Sequence, residues 1–153
     1  MAENTGVASL PEHACWELLR SAEVGRLAVC SADGPDIFPI NFVIDHGTVV
    51  FRTAEGSKLS TALATATVAF EVDGYDADAQ DAWSVVIKGR AEHIKRLHES
   101  LQTLELPLFP WHASPKPHFV RIVPEVVSGR RFGVVAPEQW TTPTKGVRPT
   151  APE

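Results

Sequence analysis

The segment TVVFRTAEGSKL, residues 48–59, carries the most informative local pattern in this 153-residue chain and predicts a strand, a loop and a helix in succession. Thr48 to Thr53 is rich in β-branched and aromatic residues, which favour an extended strand. Ala54 to Gly56 is a short loop that contains glycine. Ser57 is then well placed to cap a helix that runs to about Ala66, with apolar residues at helical spacing.

Four residues around the start of this helix form a candidate anion site. A helix N-terminus presents unpaired backbone N–H groups and the positive end of its dipole, and both favour an anion. Arg52 and Lys58 add positive charge, while the hydroxyls of Thr53 and Ser57 add hydrogen-bond donors. Four side-chain donors within seven residues suit a phosphate dianion. The alternative is an ordinary capped helix with two solvent-exposed basic residues.

An earlier helix is predicted from Ser9 to Ser21. Ser9 and Glu12 have the spacing of a capping box, in which each side chain binds a backbone N–H of the other residue's turn. Pro11 falls in the first turn, where its missing N–H does no harm. The pattern therefore predicts an amphipathic helix that packs one face on the sheet.

Short apolar runs between turn signals predict seven strands: Gly25–Ser31, Ile37–Asp45, Thr48–Thr53, Val68–Val72, Trp83–Ile94, His118–Val123 and Val126–Phe132. The pairs Asp33-Gly34 and His46-Gly47 are typical of tight turns and indicate antiparallel neighbours. Pro39 places its strand at an edge or an interruption of the sheet, and Gly89 indicates a bulge. The aspartate-rich stretch Gly74–Asp81 is expected to be a solvated loop.

Towards the C-terminus, a further helix is predicted at Arg96–Leu106, followed by an irregular segment with four prolines at Pro107–Pro117. The order of helix, three strands, helix, two strands, helix and two strands favours a mainly β protein. Short antiparallel strands with inserted helices fit a closed or nearly closed barrel. We expect one domain at residues 1–133 and a proline-rich tail at 134–153.

Composition narrows the possible partners and locations of the protein. A net charge of -5 and a pI near 5.7 argue against nucleic-acid binding, which needs a basic surface. The sequence has no signal-peptide pattern and no run approaching the roughly 18 apolar residues of a membrane span. Cys15 and Cys30 are expected to be buried thiols rather than a disulfide. These features predict a cytoplasmic protein that binds neither nucleic acid nor membrane.

No metal site is expected from the sequence. His13 and Cys15 lie two residues apart, and prolines separate His112 from His118, so neither pair has the spacing of metal ligands. The aspartates between Asp73 and Asp81 resemble a calcium loop only in composition, because the glycine and the final glutamate are out of register.

Three segments resemble the pyridoxamine 5′-phosphate oxidase-like, FMN-binding split-barrel family, in particular its small actinobacterial-type flavin or deazaflavin oxidoreductase-like members. They are GRLAVCSADG (25–34), TVVFRTAEGSKL (48–59) and WSVVIKGRAEHI (83–94). The likeness covers most of the chain, from Leu10 to Phe132. It implies an antiparallel split β-barrel with peripheral helices. It also implies that the phosphate of FMN is held by Arg52, Thr53, Ser57 and Lys58.

In such proteins the flavin lies in a groove at a homodimer interface, and the resemblance extends the candidate site accordingly. One strand would run along the isoalloxazine ring, and its residues here are Phe38, Pro39, Ile40 and Asn41. The alternative is that Phe38, Ile40 and Phe42 are alternating core residues. The remaining candidates for contact with the flavin, the substrate or the partner subunit are Trp83, Trp111, Arg130 and Arg131. Each of these could instead be a packing residue or an exposed surface residue.

The resemblance implies an FMN-dependent oxidoreductase that transfers hydride through flavin N5 to a small substrate, with no catalytic side chain identified. The family's authentic oxidase carries an arginine–x–histidine element near its C-terminus. Residues 128–132 here read SGRRF, so pyridoxamine phosphate oxidation is not expected. One alternative is a deazaflavin-dependent reductase on the same fold. Another is a non-catalytic flavin- or haem-binding protein, with His46, His93 or His112 as the haem ligand.

Overall fold

The computed structural model describes residues 6–54, 57–63, 67–94 and 118–134. Its elements in chain order are β1 (Val7–Ser9), α1 (Glu12–Ser21), β2 (Val24–Ser31), β3 (Gly34–Asn41), β4 (Val43–Asp45), β5 (Thr48–Thr53), α2 (Lys58–Ala62), β6 (Thr67–Asp76), β7 (Asp81–His93) and β8 (His118–Gly133). The predicted helix at 96–106 and the irregular segment at 107–117 lie outside the described residues. The same is true of the tail after Val134.

The eight strands form one antiparallel sheet in the order β3-β2-β6-β7-β8-β5-β4, and β1 adds to β8. The sheet curls so that β3, at one end of this order, contacts β5 near the other end. The enclosed side is filled by aliphatic and aromatic side chains, among them the fully buried Phe51, Phe70 and Leu27. The architecture is the mainly β, antiparallel split barrel that the sequence predicted.

The predicted strand Ile37–Asp45 is instead two strands, because the chain bends at Phe42. The buried Phe42 ring packs edge-on against Phe70, with ring centroids 4.9 Å apart. Its backbone N–H donates to the Glu23 carbonyl at 3.2 Å. Before the bend, β2 is the only described strand that pairs with β3, so within the described residues Pro39 lies on an edge strand as predicted. After the bend, β4 pairs with β5, starting at Val43 opposite Val50, and this crossing brings the two ends of the sheet together.

The two strands predicted at the C-terminal end of the barrel are one continuous strand, β8. Its register against β7 shifts between Lys88, opposite Val126, and Gly89, opposite Pro124. Glu125 is therefore an extra residue, and the bulge accommodates Pro124, which has no N–H to donate. A Cβ atom on Gly89 would collide with the Val123 carbonyl. The bulge predicted at Gly89 is confirmed, but it bends the strand without ending it.

The capping box predicted for the first helix is wrong. Ser9 belongs to β1, where it pairs with Arg130, so it is not available to cap a helix. Helix α1 begins at Glu12 with Pro11 at its N-cap, which makes no side-chain capping bond. The helix buries Cys15 against Gly129, where an added Cβ would lie only 2.5 Å from the sulfur. A strand therefore forms where the sequence alone predicted the first turn of a helix.

The predicted loop Gly74–Asp81 is also shorter than expected, because β6 continues to Asp76 and β7 begins at Asp81. The Trp83 ring packs over Gly74, whose added Cβ would lie 2.6 Å from the ring. The Asp76 carboxylate accepts from the N–H groups of Asp78 and Ala79, at 3.0 and 3.1 Å, and so closes the turn. Aromatic packing thus extends the hairpin through residues whose composition suggested a loop.

The two cysteines are free thiols in different environments. Cys15 is buried, and burial raises the pKa of its thiol. Cys30 is exposed on β2, so its predicted burial is wrong. Successive residues of a strand point to opposite faces of the sheet. Because Val29 points into the core, Cys30 points outward. None of the helices in the described part of the chain is long and apolar enough to cross a membrane.

Candidate functional site

The start of α2 is organised by the Ser57 side chain, as the sequence predicted. Ser57 Oγ accepts from the Ser60 N–H at 3.0 Å, and the Ser57 carbonyl accepts from the Thr61 N–H at 3.0 Å. Since Ser57 Oγ is already an acceptor in the cap, its own O–H is left to donate. The helix has only five residues, so its dipole contributes less to anion binding than the sequence-based argument assumed.

Thr53 and Ser57 are brought together at the end of β5. Thr53 Oγ1 lies 3.2 Å from Ser57 Oγ, and Thr53 as a whole is only 2% exposed. The Thr53 hydroxyl is thus a buried support that orients the Ser57 hydroxyl. Lys58 is the first residue of α2 and follows this pair directly.

Arg52 lies on the opposite face of β5 from Thr53, because successive strand residues alternate. Its neighbours Phe51 and Thr53 are buried, whereas Arg52 is half-buried on the outer face of the sheet. Its guanidinium carbon lies 5.4 Å from the centroid of the Phe119 ring on β8. This cation–π contact keeps the guanidinium close to the outer face of the sheet. Phe119 was not identified from the sequence, since nothing local links it to a residue 67 positions earlier.

The four candidates on β3 also alternate between the two faces. Phe38 and Ile40 pack towards the core, while Pro39 is exposed and Asn41 is half-buried on the outer face. The sequence left open whether these residues contact a ligand or pack in the core. Phe38 and Ile40 are core residues, whereas Pro39 and Asn41 face outward. Pro39 and Asn41 are the pair available to a ligand on the outer face.

Asn41 has a buried acceptor with an unmet hydrogen bond. Its Nδ2 donates weakly to the Glu23 carbonyl at 3.5 Å. Its Oδ1 is shielded from solvent and has no hydrogen-bond partner among the residues described. A buried amide oxygen without a donor is costly, so such an atom is an unusual feature that requires an explanation. Glu23 itself was missed by the sequence analysis, since it acts only through its backbone.

Asn41 and Arg52 lie on the two strands that meet at the β3–β5 seam. Pairing between β4 and β5 begins at Val43 opposite Val50, so Asn41 is two residues before this point and Arg52 is two residues after Val50. The strands β3 and β5 contact each other. With both side chains on the outer face, the two strands of the seam carry a half-buried amide and a cation, a combination suited to a polar, anionic ligand.

A charged cluster adjoins this seam on the outer face. Arg26, directly opposite Pro39, places Nη1 3.2 Å from Glu71 Oε2 and 3.3 Å from Asp73 Oδ1. Burial, followed by the neighbouring Asp73, raises the pKa of Glu71 above its ordinary value. The two carboxylates in turn raise the pKa of Arg26, with Asp73 contributing most. Within the described ranges, no three acidic, histidine or cysteine side chains form a group that could hold a metal ion.

The remaining candidates are not brought near Arg52 within one chain. Arg130 lies eleven residues beyond Phe119 along β8, a separation of at most about 36 Å, because β8 bends at its bulge. Trp83 and Arg131 are paired at that same distant end. The Arg131 guanidinium donates to Asp81 at 2.6 Å, whereas Arg130 is exposed. Trp111 lies outside the described residues.

The histidines considered as haem ligands share no common site in the described structure. His46 is 91% exposed at the β4–β5 turn, with Nδ1 2.8 Å from Asp45 Oδ1. His93 ends β7, and His112 lies outside the described residues.

Comparison with known proteins assigns the chain to a family. The model of the pyridoxamine 5′-phosphate oxidase family matches residues 11–131, which include every strand of the barrel except β1 and the last residues of β8. The chain belongs to this family. The match confirms the resemblance suggested by the three sequence segments, and the split barrel agrees with it.

Two solved structures and one curated relative illustrate the relationship. The FAD-binding protein from Mycobacterium smegmatis is 36% identical, with a TM-score of 0.73 over 82% of this chain and 98% of that one. A FAD-binding protein from Mesorhizobium loti is 27% identical, with a TM-score of 0.70 over 82% and 97%. An uncharacterized protein of Mycobacterium tuberculosis is 32% identical over 131 residues, 82% of this chain and 86% of its own.

Proposed function

We propose that this protein is a homodimeric, flavin-dependent oxidoreductase, with FMN as the expected flavin and a small molecule as substrate. The observation that carries the proposal is the outer face of the sheet at the β3–β5 seam, where β3 contributes the exposed Pro39 and the half-buried Asn41 and β5 contributes the cation of Arg52. Two relatives that bind FAD share the barrel, which supports a flavin as the ligand.

The protein's own residues would bind and orient the cofactor, while the flavin, when bound, supplies hydride chemistry at its N5. In this proposal Arg52 and Lys58 provide the charge for the phosphate, and the Ser57 hydroxyl donates to it. Thr53 acts indirectly, because its buried hydroxyl contacts Ser57 at 3.2 Å. The edge strand β3 lies along the ring, where Pro39 leaves its outer side without a backbone donor. Pyridoxamine phosphate oxidation is not proposed, since SGRRF lacks the expected histidine.

A second subunit is part of the proposal because of the distance along β8. If Arg130 supplies charge to the flavin's pyrimidine edge, it does so more readily for a partner's site than for the site near Arg52 in its own chain, from which it is separated by eleven residues of β8, or at most about 36 Å. In a two-fold symmetric dimer, each end of β8 can face the opposite end of the partner's β8. The same flavin would then contact Arg52 of one subunit and Arg130 of the other.

The first test removes the proposed phosphate contacts. Arg52→Ala combined with Lys58→Ala should weaken flavin binding by about 100-fold, as expected for the loss of two charge-assisted hydrogen bonds, without unfolding the chain. Affinity is measured by quenching of flavin fluorescence, and folding by circular dichroism. Lys88→Ala combined with Arg90→Ala, which removes two exposed cations of β7, is the matched control. Unchanged affinity in the Arg52/Lys58 variant would refute this site.

The nature of the cofactor is tested on the protein as purified. FMN or FAD gives two visible absorption bands and a deazaflavin gives one, and mass spectrometry of the released molecule distinguishes the three. Reduction of the bound flavin by NADPH or by a reduced deazaflavin, observed as bleaching, is the expected result for an oxidoreductase. A flavin that resists every donor would favour a binding protein without catalytic activity.

A further inference from the structure

We infer that Phe119 is a positioning residue, which holds the Arg52 guanidinium ready for the flavin phosphate and so helps the protein to distinguish FMN from riboflavin. The inference rests on the proposed function and extends it from the cation to the side chain that orients it. It begins from the Arg52 guanidinium carbon, which lies over the Phe119 ring at 5.4 Å from the ring centroid.

Phe119 is buried, but it does not belong to the core of the barrel. Its exposed fraction is 7%, and it is not part of the cluster of buried side chains that fills the enclosed side of the sheet. Its neighbour Val120 belongs to that cluster, so the alternation of side chains along β8 places Phe119 on the outer face. The ring therefore serves a contact on the outer face, where Arg52 lies, and does not pack the core.

The backbone on both sides of Phe119 fixes the position of the ring. In the ladder between β5 and β8, Phe119 lies directly opposite Arg52. On its other side, the Phe119 carbonyl accepts from the Ile94 N–H at 3.0 Å, just after the end of β7. Residues directly opposite each other in an antiparallel pair have Cβ atoms about 5 Å apart. The ladder therefore presents the ring to the arginine at the start of its side chain.

An aromatic ring orients a guanidinium without using its hydrogen-bond donors. The face of the ring attracts the positive charge, and this contact occupies none of the N–H groups that bind a phosphate. Arg121 shows the other way to hold an arginine, because its guanidinium donates to Thr48 and to the carboxylate and carbonyl of Asp45. A carboxylate partner also offsets the charge and weakens the attraction for an anion. The contact with Phe119 has neither effect, and it reduces the freedom that the side chain loses when phosphate binds.

The test compares FMN with riboflavin, which lacks the phosphate, on the full chain. Phe119→Leu should bind FMN about fivefold more weakly than the wild type, which corresponds to the roughly 1 kcal/mol of a cation–π contact near the protein surface. Its affinity for riboflavin should be unchanged, since riboflavin has no phosphate for Arg52 to bind. Phe119→Tyr keeps the ring and should bind FMN as the wild type does. Phe119→Met is apolar without a ring and should behave like Phe119→Leu.

Two further comparisons separate positioning from support of the fold. In a protein that already carries Arg52→Ala, adding Phe119→Leu should cause no further loss of FMN affinity, because the cation that the ring positions is absent. Phe70→Leu is the matched control, since it removes a fully buried ring from the core. It should lower the melting temperature and leave the ratio of FMN affinity to riboflavin affinity unchanged. Thermal unfolding of each variant establishes that it is folded.

Any of three results would overturn the inference. Equal losses of FMN and riboflavin affinity in Phe119→Leu would show that the ring supports the fold and not the cation. A further loss in the Arg52→Ala protein would show that the ring acts without the cation. Unchanged FMN affinity in Phe119→Leu would show that Arg52 is oriented without the ring.

Failure of the proposed function gives different results, all in the wild type. A wild type that binds no flavin would reject the proposed function. A wild type that binds FMN and riboflavin equally would reject the phosphate site at Arg52. The inference about Phe119 would fall in both cases.

Discussion

At the scale of single residues, the glycine at the β7–β8 bulge is one of the positions least tolerant of substitution. A Cβ on Gly89 would collide with the backbone carbonyl of Val123, which cannot move without breaking the ladder. Gly89→Ala should therefore lower the free energy of unfolding by about 2 kcal/mol, measured by urea denaturation. Gly133→Ala is the control, because its Cβ would meet only the Gln80 carbonyl at 3.9 Å. Similar losses in the two variants would contradict the steric argument.

A second residue-scale prediction concerns Glu71, whose pKa is raised by burial and by Asp73. A raised pKa means that the folded state binds the proton more tightly than the unfolded state, so the contribution of Glu71 to stability falls as the pH rises through its pKa. Glu71→Gln should therefore be more stable than the wild type at pH 7, by less than about 1 kcal/mol for this partly screened group.

The difference between Glu71→Gln and the wild type should disappear at acidic pH, where the protonated glutamate resembles glutamine. Melting temperatures of both proteins across the pH range provide the measurement, with Glu92→Gln on the exposed side of β7 as the control. A wild type that is more stable than Glu71→Gln at neutral pH would show instead that the ion pair with Arg26 dominates.

At the scale of elements, one arginine of β8 holds the β4–β5 hairpin. The Arg121 guanidinium donates to Thr48 Oγ1 at 2.6 Å, to the Asp45 carboxylate at 3.2 Å and to the Asp45 carbonyl at 3.4 Å. Arg121→Met keeps the apolar stem but removes these donors. It should lower the free energy of unfolding by about 2 kcal/mol in urea denaturation, because the partly buried Asp45 carboxylate loses its arginine partner and the Asp45 carbonyl and Thr48 hydroxyl lose a donor.

The exposed Arg20→Met on α1 is the matched control for Arg121→Met. If both variants lose the same amount, the hairpin contacts contribute nothing beyond ordinary surface effects.

Elements that depend on local sequence could be predicted, and those that depend on distant partners could not. The bounds of β5, the Ser57 cap and the His46-Gly47 turn follow from residues within a few positions of one another. The strand at Val7–Ser9 exists only because β8 offers an edge more than 100 residues later. The break at Phe42 likewise depends on the Phe70 ring.

The same division applies to the site. The Thr53–Ser57 pair could be predicted because the residues are four positions apart. The separation of Arg130 from Arg52 could not be predicted, since it depends on β8 being one strand instead of two. The unpaired Asn41 oxygen depends on a backbone carbonyl 18 positions away.

At the scale of the whole molecule, the proposed site shared between two subunits predicts that two defective variants restore each other's flavin binding in a mixed dimer. Two variants are compared, the double variant Arg52→Ala/Lys58→Ala and the single variant Arg130→Ala. Each should bind flavin more weakly than the wild type when it forms a homodimer. After subunit exchange, half of a statistical mixture is heterodimer, and each heterodimer has one intact site. About a quarter of all sites should recover, measured by flavin titration of the mixture. A titration equal to the average of the two separate variants would show that each site is formed within one chain.

Strand β8 also imposes an order on folding. It pairs with β1, β5 and β7, so it is the element that joins the N-terminal strand, the middle of the chain and the long hairpin. These pairings span up to 125 residues, as between Val7 and Phe132. During synthesis, β2, β3, β6 and β7 can pair early, but closure must wait until β8 has emerged from the ribosome. Contacts so distant in sequence slow folding, and the incomplete sheet leaves unpaired edges exposed until the last strand is in place.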